Sequence, residues 1–262
     1  MFKGRHELKY VVPVHEGDAV LEALRDHLQP DPHGDEQGSY EVASIYYDTP
    51  SYRFYWDRTE SVGYRRKVRL RAYLKGQGIS ALFIEIKERH RSLVVKKRIS
   101  LPLALLDKLG PDHFHWTLPQ ILEHVGDSAD SRELRYLTER LGLEAAANIR
   151  YLRRSYTSPY VNDLRITLDR HLTVGESPLT EFEEGSEQLF LPPDKAIFEV
   201  KLNQRAPDWL LRGLAPFGFM RQRYSKYCEG LTLLQQSFLP PQTIRHILER
   251  GAELKTANAG RQ

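Results

Sequence analysis

Three cations spaced two residues apart, Lys67, Arg69 and Arg71, are the residues of this chain with the clearest chemical potential. Apolar residues alternate with them in the segment 64–73. Because residues two apart in a β-strand share one face, the segment would present its cations on one side and an apolar surface on the other. Arginine forms paired hydrogen bonds with phosphate oxygens and lysine supplies a compact charge, so this row suits phosphate groups.

Charged residues alternate with apolar residues in five further segments. For any one strand, the solvent-facing side of an antiparallel sheet explains this pattern equally well, since cross-strand pairs of Lys and Glu are common there. Six such strands, with mostly basic charges at mid-strand, are better explained by a closed barrel that has helices outside and holds a polyanion inside. The charged positions of the five segments are Glu7 and Lys9, Glu85 and Lys87, Lys96 and Arg98, Arg165 and Asp169, and Glu199 and Lys201.

The composition limits the class of protein. The chain has 262 residues, 40% of them hydrophobic, and its 38 basic and 35 acidic residues give a net charge of +3. This length suits one barrel with added helices, and so small a charge does not require a nucleic acid partner. The single cysteine, Cys228, excludes an intramolecular disulfide and a cysteine-rich zinc site. With no signal peptide and no apolar run of about 18 residues, we expect a cytoplasmic protein without a transmembrane segment.

The order of predicted elements indicates an α+β fold that is mainly β. One domain is predicted over residues 1–240, with a helical insert at about 101–142 between two groups of strands. Apolar residues at helical spacing, with glycines where each run ends, predict the helices of this insert. The remaining residues, 241–262, are predicted to form a C-terminal tail.

Nine short motifs follow one another along nearly the whole chain. They are Glu7-Leu8-Lys9-Tyr10, Ser44-Ile45-Tyr46-Tyr47-Asp48-Thr49, Arg69-Leu70-Arg71, Glu85-Ile86-Lys87, Lys96-Lys97-Arg98, Tyr151-Leu152-Arg153-Arg154-Ser155-Tyr156, Arg165-Ile166-Thr167-Leu168-Asp169, Glu199-Val200-Lys201 and Ser225-Lys226-Tyr227. In this order they resemble the VTC-type polyphosphate polymerase domain, a member of the CYTH or triphosphate tunnel superfamily. Each motif is weak alone, and the resemblance depends on all nine occurring in sequence.

The resemblance implies an eight-stranded antiparallel tunnel-like barrel, lined by basic residues and surrounded by helices. It also implies an enzyme that transfers the terminal phosphate of ATP to a polyphosphate chain with the help of Mn²⁺ or Mg²⁺. Its partners would be a nucleoside triphosphate, triphosphate or polyphosphate. The residues expected to act in catalysis are Arg69, Arg71, Arg165 and Lys87. Those expected to bind substrate are Lys9, Lys67, Lys96, Arg98, Arg153, Lys201 and Lys226, with Arg154 and Lys97 as alternatives to their neighbours.

Carboxylates among so many cations are expected either to hold a metal or to orient the cations. We assign the divalent metal to Glu199, with Glu7 and Glu85 as further candidates, and pairing with nearby Lys or Arg is the alternative role of Glu85. The triphosphate-hydrolysing branch of the superfamily typically begins with Glu-x-Glu-x-Lys. Here the first strand reads Glu7-Leu8-Lys9, so a cation replaces the second carboxylate, and this favours the polymerase-like branch.

Three other functions compete with the polymerase. The first is a tunnel enzyme that hydrolyses inorganic triphosphate, and the second is a non-catalytic module that binds polyphosphate or inositol phosphate. An RNA-binding role is disfavoured because the cations lie on alternating strand faces and not in an exposed patch with stacking aromatics. The histidines are not spaced as a metal-binding set; those considered are His6, His15, His90, His113 and His115.

Overall fold

The computed structural model describes most of the chain, namely residues 6–76, 78–90, 93–180, 185–203 and 205–238. The predicted C-terminal tail, residues 241–262, lies outside the described residues. Within them, one antiparallel sheet extends along the chain from its first strand to the strand that precedes the last two helices.

Ten strands form this sheet, and eight of them lie on one continuous path in the order β1-β10-β8-β7-β3-β4-β5-β6. The two short strands lie off the path, β2 against β7 and β9 against β8. The strands are β1 His6–Pro13, β2 Gln29–Pro30, β3 Ser39–Asp48, β4 Tyr64–Lys75, β5 Gly78–His90, β6 Leu93–Leu101, β7 Glu144–Thr157, β8 Arg165–Gly175, β9 Glu187–Leu189 and β10 Lys195–Leu202.

The helices lie between and after the strands. None of them in the described ranges is long and apolar enough to span a bilayer. Helices α4 and α5 begin with capping boxes, in which Thr117 and Ser128 accept hydrogen bonds from backbone N–H groups of the first turn. The helices are α1 Val14–Ala23, α2 Arg53–Thr59, α3 Ala104–Leu109, α4 Leu118–Leu122, α5 Ala129–Leu141, α6 Asp208–Leu214 and α7 Lys226–Phe238.

The apolar face of the sheet packs under helices, as the alternation predicts. Val68, Leu70, Ile84 and Ile86 are buried in one cluster with side chains of α3, α4 and α5. Val200 belongs to a second cluster, which includes residues of α1 and α6. Because these residues alternate with the cations, their burial turns the charged side chains to the opposite face.

The sheet is not closed, so the predicted closed barrel is not confirmed. β1 and β6 end the path and do not pair with each other within the described residues, and the sheet has ten strands in place of the predicted eight. Side chains nevertheless approach each other across the opening, because the Lys87 ammonium on β5, the neighbour of β6, lies 3.1 Å from the Glu7 carboxylate on β1. Alternation identifies the two faces of a strand, but it does not reveal whether the edge strands bond to each other.

A short segment before α7, residues 222–225, also links distant strands. The Gln222 N–H donates to the Lys9 carbonyl of β1 at 2.8 Å. The Lys67 ammonium of β4 donates to the Ser225 hydroxyl at 2.6 Å. This segment therefore ties the first strand to the strand that carries the central row of cations.

Candidate functional site

The strand register places the predicted site residues on one face of the sheet, which we call the inner face. Directly opposed residues in neighbouring antiparallel strands project from the same side. The register matches Arg71 with Ser44 and Arg69 with Glu85, and it continues in the same way from β1 to β6. Thirteen of the fourteen predicted residues lie on this face, and they are Glu7, Lys9, Lys67, Arg69, Arg71, Glu85, Lys87, Lys96, Arg98, Arg153, Arg165, Glu199 and Lys201.

The fourteenth residue, Lys226, reaches the inner face from the start of α7. Its ammonium lies 2.7 Å from Asp169 Oδ2 of β8. Arg153 forms two hydrogen bonds with the same carboxylate, at 2.6 and 2.8 Å. Burial alone would raise the pKa of Asp169, but Arg153 and Lys226 outweigh that effect and hold the pKa well below its usual range. Alternation along β8 indicates the face of Asp169 but no role for it, and its contacts make it the carboxylate that orients Arg153 and Lys226.

In the pairs Arg153 and Arg154, and Lys96 and Lys97, the two adjacent cations lie on opposite faces of the sheet. Arg154 Nη1 donates to Asp18 of α1 at 2.6 Å, on the side of the sheet opposite Arg153. Lys97 similarly pairs with Glu133 of α5, whereas Lys96 faces inward. Arg153 and Lys96 are therefore the members of each pair that lie on the inner face.

Glu85 is the centre of the largest charge cluster. Its side chain is 1% exposed and contacts four cations. Burial would raise the pKa of Glu85, but Arg69, Arg71 and Lys96 lower it far below the usual range. A carboxylate so surrounded is committed to orienting cations, which is the alternative role considered for Glu85. The contacts are Arg69 Nη2 at 2.5 Å, Arg98 Nη2 at 2.5 Å, Lys96 Nζ at 2.6 Å and Arg71 Nη1 at 3.9 Å.

A second cluster alternates charge across β1 and β10. The register sets Glu7 opposite Lys201 and Lys9 opposite Glu199. Lys201 Nζ and Lys9 Nζ lie 3.3 and 3.7 Å from the same oxygen, Oε1 of Glu199. Burial would raise the pKa of Glu199, but Lys201 and Lys9 hold it well below its usual range.

The two lysines of this cluster differ in their response to burial. Burial would lower the pKa of Lys9, but Glu199 and Glu7 outweigh it and raise that pKa. Burial lowers the pKa of Lys201 to about 7 despite the attraction of Glu199, and Arg153 adds to the lowering. An anion that enters the inner face would therefore raise the protonated fraction of Lys201 more than that of Lys9, because an added negative charge favours the protonated form.

Arg71 is held by neutral groups as well as by Glu85. Its Nε donates to Ser44 at 3.2 Å, and its Nη2 donates to the Tyr151 hydroxyl at 3.0 Å. Tyr46 accepts a hydrogen bond from Arg69 at 2.8 Å. Burial would raise the pKa of Tyr46, but Arg69, Arg71 and Lys67 together lower it to about 8. These hydroxyl groups hold the two central arginines in place, a role that the charge pattern of the sequence does not indicate.

Arg165 lies at one end of the inner face and is paired by a residue from the connection between β2 and β3. Its Nη2 contacts the buried carboxylate of Asp31, and the Tyr40 hydroxyl accepts a hydrogen bond from the same nitrogen at 3.0 Å. Its Nε donates to Ser155 at 2.9 Å. Nothing in the local pattern around Asp31 indicated this partner, because the contact joins residues that are far apart in the chain.

Asp48 and Tyr227 position the start of α7. The Tyr227 hydroxyl donates to the buried Asp48 carboxylate at 2.6 Å. Backbone N–H groups of Thr49, Phe54 and Tyr55 donate to the same carboxylate. Since Tyr227 directly follows Lys226, this network fixes the part of α7 that supplies Lys226 and Ser225 to the inner face.

Cations outnumber carboxylates on the inner face of the described residues. The eleven lysines and arginines of the predicted site lie among five carboxylates, and each carboxylate already contacts at least one cation. Burial lowers the pKa of Lys96 to about 8 and also lowers that of Lys67. A bound polyanion would counter this effect of burial, because an added negative charge favours the protonated lysines. The five carboxylates are Glu7, Asp31, Glu85, Asp169 and Glu199.

The carboxylates allow one mode of metal binding. Within the described ranges no three His, Cys, Asp or Glu side chains come together as a metal cluster. Both ion pairs of Glu199 go to Oε1, and the adjacent Thr167 hydroxyl is buried without a hydrogen-bond partner. Mg²⁺ is usually held by one or two carboxylates with phosphate oxygens completing the shell. Glu199 fits that mode, and Glu7 fits it only if the ion displaces Lys87, which contacts both Glu7 oxygens at 3.1 Å. Glu85 does not fit, because four cations occupy its oxygens.

Comparison with known proteins places the chain in a family. The model of the VTC domain matches residues 4–235. The chain belongs to the VTC domain family. No curated protein matches this VTC domain.

Three solved structures resemble the VTC domain at low sequence identity. The PH1819 protein from Pyrococcus horikoshii OT3 is 16% identical with a TM-score of 0.43, and the match covers 89% of this chain and 99% of that one. The PH1012 protein from the same organism is 13% identical with a TM-score of 0.40, covering 82% and 91%. A conserved hypothetical protein from Pyrococcus furiosus is 12% identical with a TM-score of 0.40, covering 86% and 99%.

Proposed function

We propose that this VTC domain is a metal-dependent polyphosphate polymerase, which transfers the terminal phosphate of ATP to a growing polyphosphate chain. The observation that carries the proposal is the inner face, where cations from seven strands and α7 outnumber the carboxylates that pair with them. The single cysteine is consistent with work in the reducing cytoplasm, where ATP is available.

The arrangement of the arginines suits phosphoryl transfer. This reaction requires mainly that the phosphates be positioned and that their charge be neutralised. Arg69 is held by Glu85 and Tyr46, and Arg71 is held by Ser44 and Tyr151. Guanidinium groups fixed in this way need little reorganisation when a phosphate arrives, so the binding energy goes into orienting the chain.

Glu199, with Glu7, would hold a Mn²⁺ or Mg²⁺ ion together with phosphate oxygens of the substrate. A divalent ion bound there would neutralise charge that builds up on the transferred phosphate. The chain's own residues do the remaining work: Lys9 and Lys201 flank Glu199 and bind phosphate oxygens beside it. The unpartnered Thr167 hydroxyl supplies a further hydrogen-bond donor at the same place.

Transfer to a phosphate chain is favoured over hydrolysis by the first strand. Lys9 takes the position at which the hydrolysing branch would carry a second carboxylate, and it pairs with Glu199 at 3.7 Å. A two-metal hydrolytic site is therefore short of a ligand. The same lysine adds a contact for the phosphate chain that accepts the transferred group.

The direct test is incubation of the VTC domain with ATP and either Mn²⁺ or Mg²⁺, followed by measurement of both long-chain polyphosphate and free phosphate. We expect polyphosphate to accumulate only when the divalent ion is present, and Arg71→Ala to remove the product. Free phosphate released from triphosphate, with no long chain, would identify a triphosphatase instead. If triphosphate binds but neither ATP nor triphosphate is turned over, the domain is a non-catalytic binding module.

A further inference from the structure

A group of arginines extends the inner face beyond the residues described so far. Arg65 precedes Lys67 by two residues on β4, and Arg89 follows Lys87 by two residues on β5, so each shares the inner face with its neighbour. The register sets Arg65 directly opposite Arg89. Like charges directly opposite each other repel across a sheet, and a bound anion would offset this repulsion.

Two further arginines converge on Arg65 from outside the sheet. Arg58 on α2 donates a hydrogen bond to the Arg223 carbonyl at 3.1 Å, which joins α2 to the segment before α7. Burial lowers the pKa of Arg65, and the charges of Arg89, Arg58 and Arg223 lower it further. Among the described residues, Arg65 makes no ion pair with a carboxylate.

We propose that Arg58, Arg65, Arg89 and Arg223, here named the arginine rim, form a second binding site for inorganic polyphosphate. The arginine rim binds the part of a polyphosphate chain that extends beyond the inner face. This inference rests on the proposed function, because it takes the phosphate chain of the inner face as its ligand.

Strand geometry explains why the rim would select for length. Arg71 and Arg65 are six residues apart on β4, which corresponds to about 20 Å along an extended strand. Three linked phosphates bound at Arg69 and Arg71 do not reach so far, whereas a long chain passes Lys67 and contacts the rim. The rim therefore adds affinity for long chains without contributing to the binding of triphosphate.

The test compares two double variants of equal charge. Arg65→Gln with Arg223→Gln alters the rim, and Arg132→Gln with Arg140→Gln alters exposed arginines of α5. Affinities for triphosphate and for a long polyphosphate are measured by calorimetry at one ionic strength, with thermal melts to verify folding. We expect the rim variant to bind the long chain about fivefold more weakly, as the loss of two solvent-accessible charge contacts allows, and to bind triphosphate within about twofold of wild type. The α5 variant should match wild type for both ligands.

The outcomes separate the inference from the proposed function. Failure of wild type to bind triphosphate would contradict the proposed function. If triphosphate binds but the rim variant retains full affinity for the long chain, or loses affinity for both ligands equally, the rim is not a second site. A single-stranded RNA of equal charge serves as the competitor. If the RNA displaces the long polyphosphate from wild type but not from the rim variant, then RNA binds the rim, and polyphosphate is not its ligand.

Discussion

Glu199→Gln is expected to abolish turnover while leaving triphosphate binding largely intact. The substitution keeps the shape of the side chain but removes the negative charge that we assign to the divalent ion. Lys9 and Lys201 remain in place and lose the carboxylate that competes with phosphate, so the anion should bind at least as tightly as in wild type.

Turnover of ATP and calorimetric binding of triphosphate measure the two effects separately. Arg71→Ala is the informative comparison, because loss of a phosphate contact should weaken binding itself. If Glu199→Gln keeps the rate within about twofold, a change of roughly 0.4 kcal/mol in the activation barrier, Glu199 does not hold the metal. The metal would then have to be sought at Glu7.

Glu85→Gln is expected to destabilise the ligand-free protein and to make triphosphate more stabilising. Removal of one partner from a buried ion pair typically costs about 3–5 kcal/mol. Because the Lys96 and Arg98 side chains are 41% and 38% exposed, water screens them, and we expect a loss of about 2–3 kcal/mol that comes mainly from Arg69 and Arg71. Triphosphate should recover part of the loss, since it supplies the missing negative charge.

Urea unfolding with and without triphosphate measures this effect, and Glu88→Gln is the matched control. Glu88 lies on the same strand but on the opposite face, where it pairs with Arg66 and Lys97. Its substitution should cost less and should leave the response to triphosphate unchanged. A lower triphosphate affinity in Glu85→Gln would contradict the role assigned to Glu85, because a carboxylate that only orients cations competes with the anion.

The pH dependence of the unfolding free energy should also reveal the contribution of the Glu85 carboxylate. The pKa of Glu85 is lowered from 4.5 by folding, so its stabilising contribution is complete above that value and is lost as the pH falls below it. Unfolding free energies measured from pH 7 to pH 3 should therefore fall less steeply for Glu85→Gln than for wild type. Parallel curves would mean that Glu85 is not stabilised by its cations.

The alternation of charged and apolar residues was enough to identify the faces of the strands. Lys67, Arg69 and Arg71 share the inner face, and Leu70 packs beneath helices. Successive side chains of a strand point to opposite faces, so burial of the apolar side places the charged side on the other face. The choice between Arg153 and Arg154 was harder, since both are followed by residues that suit a strand. The contacts that distinguish them, Arg153 with Asp169 and Arg154 with Asp18 of α1, join residues that are not neighbours in the chain.

The groups that hold the cations in place were less predictable. Asp31 and Ser225 lie outside the strands, and no periodic pattern connects them to Arg165 and Lys67. Closure of the barrel was likewise beyond the reach of the pattern, because it depends on whether two edge strands bond across a gap and not on the faces of either strand.

The most direct test of the inner face as a phosphate-chain site is thermal unfolding in triphosphate and in sulfate at equal ionic strength. A ligand that binds only the folded protein adds about 2.7 kcal/mol of stability at a hundredfold excess over its dissociation constant. A face built for a phosphate chain should give a much larger rise in Tm with triphosphate than with sulfate, and Arg71→Ala should reduce that difference. Equal shifts with the two anions would contradict a phosphate-chain site.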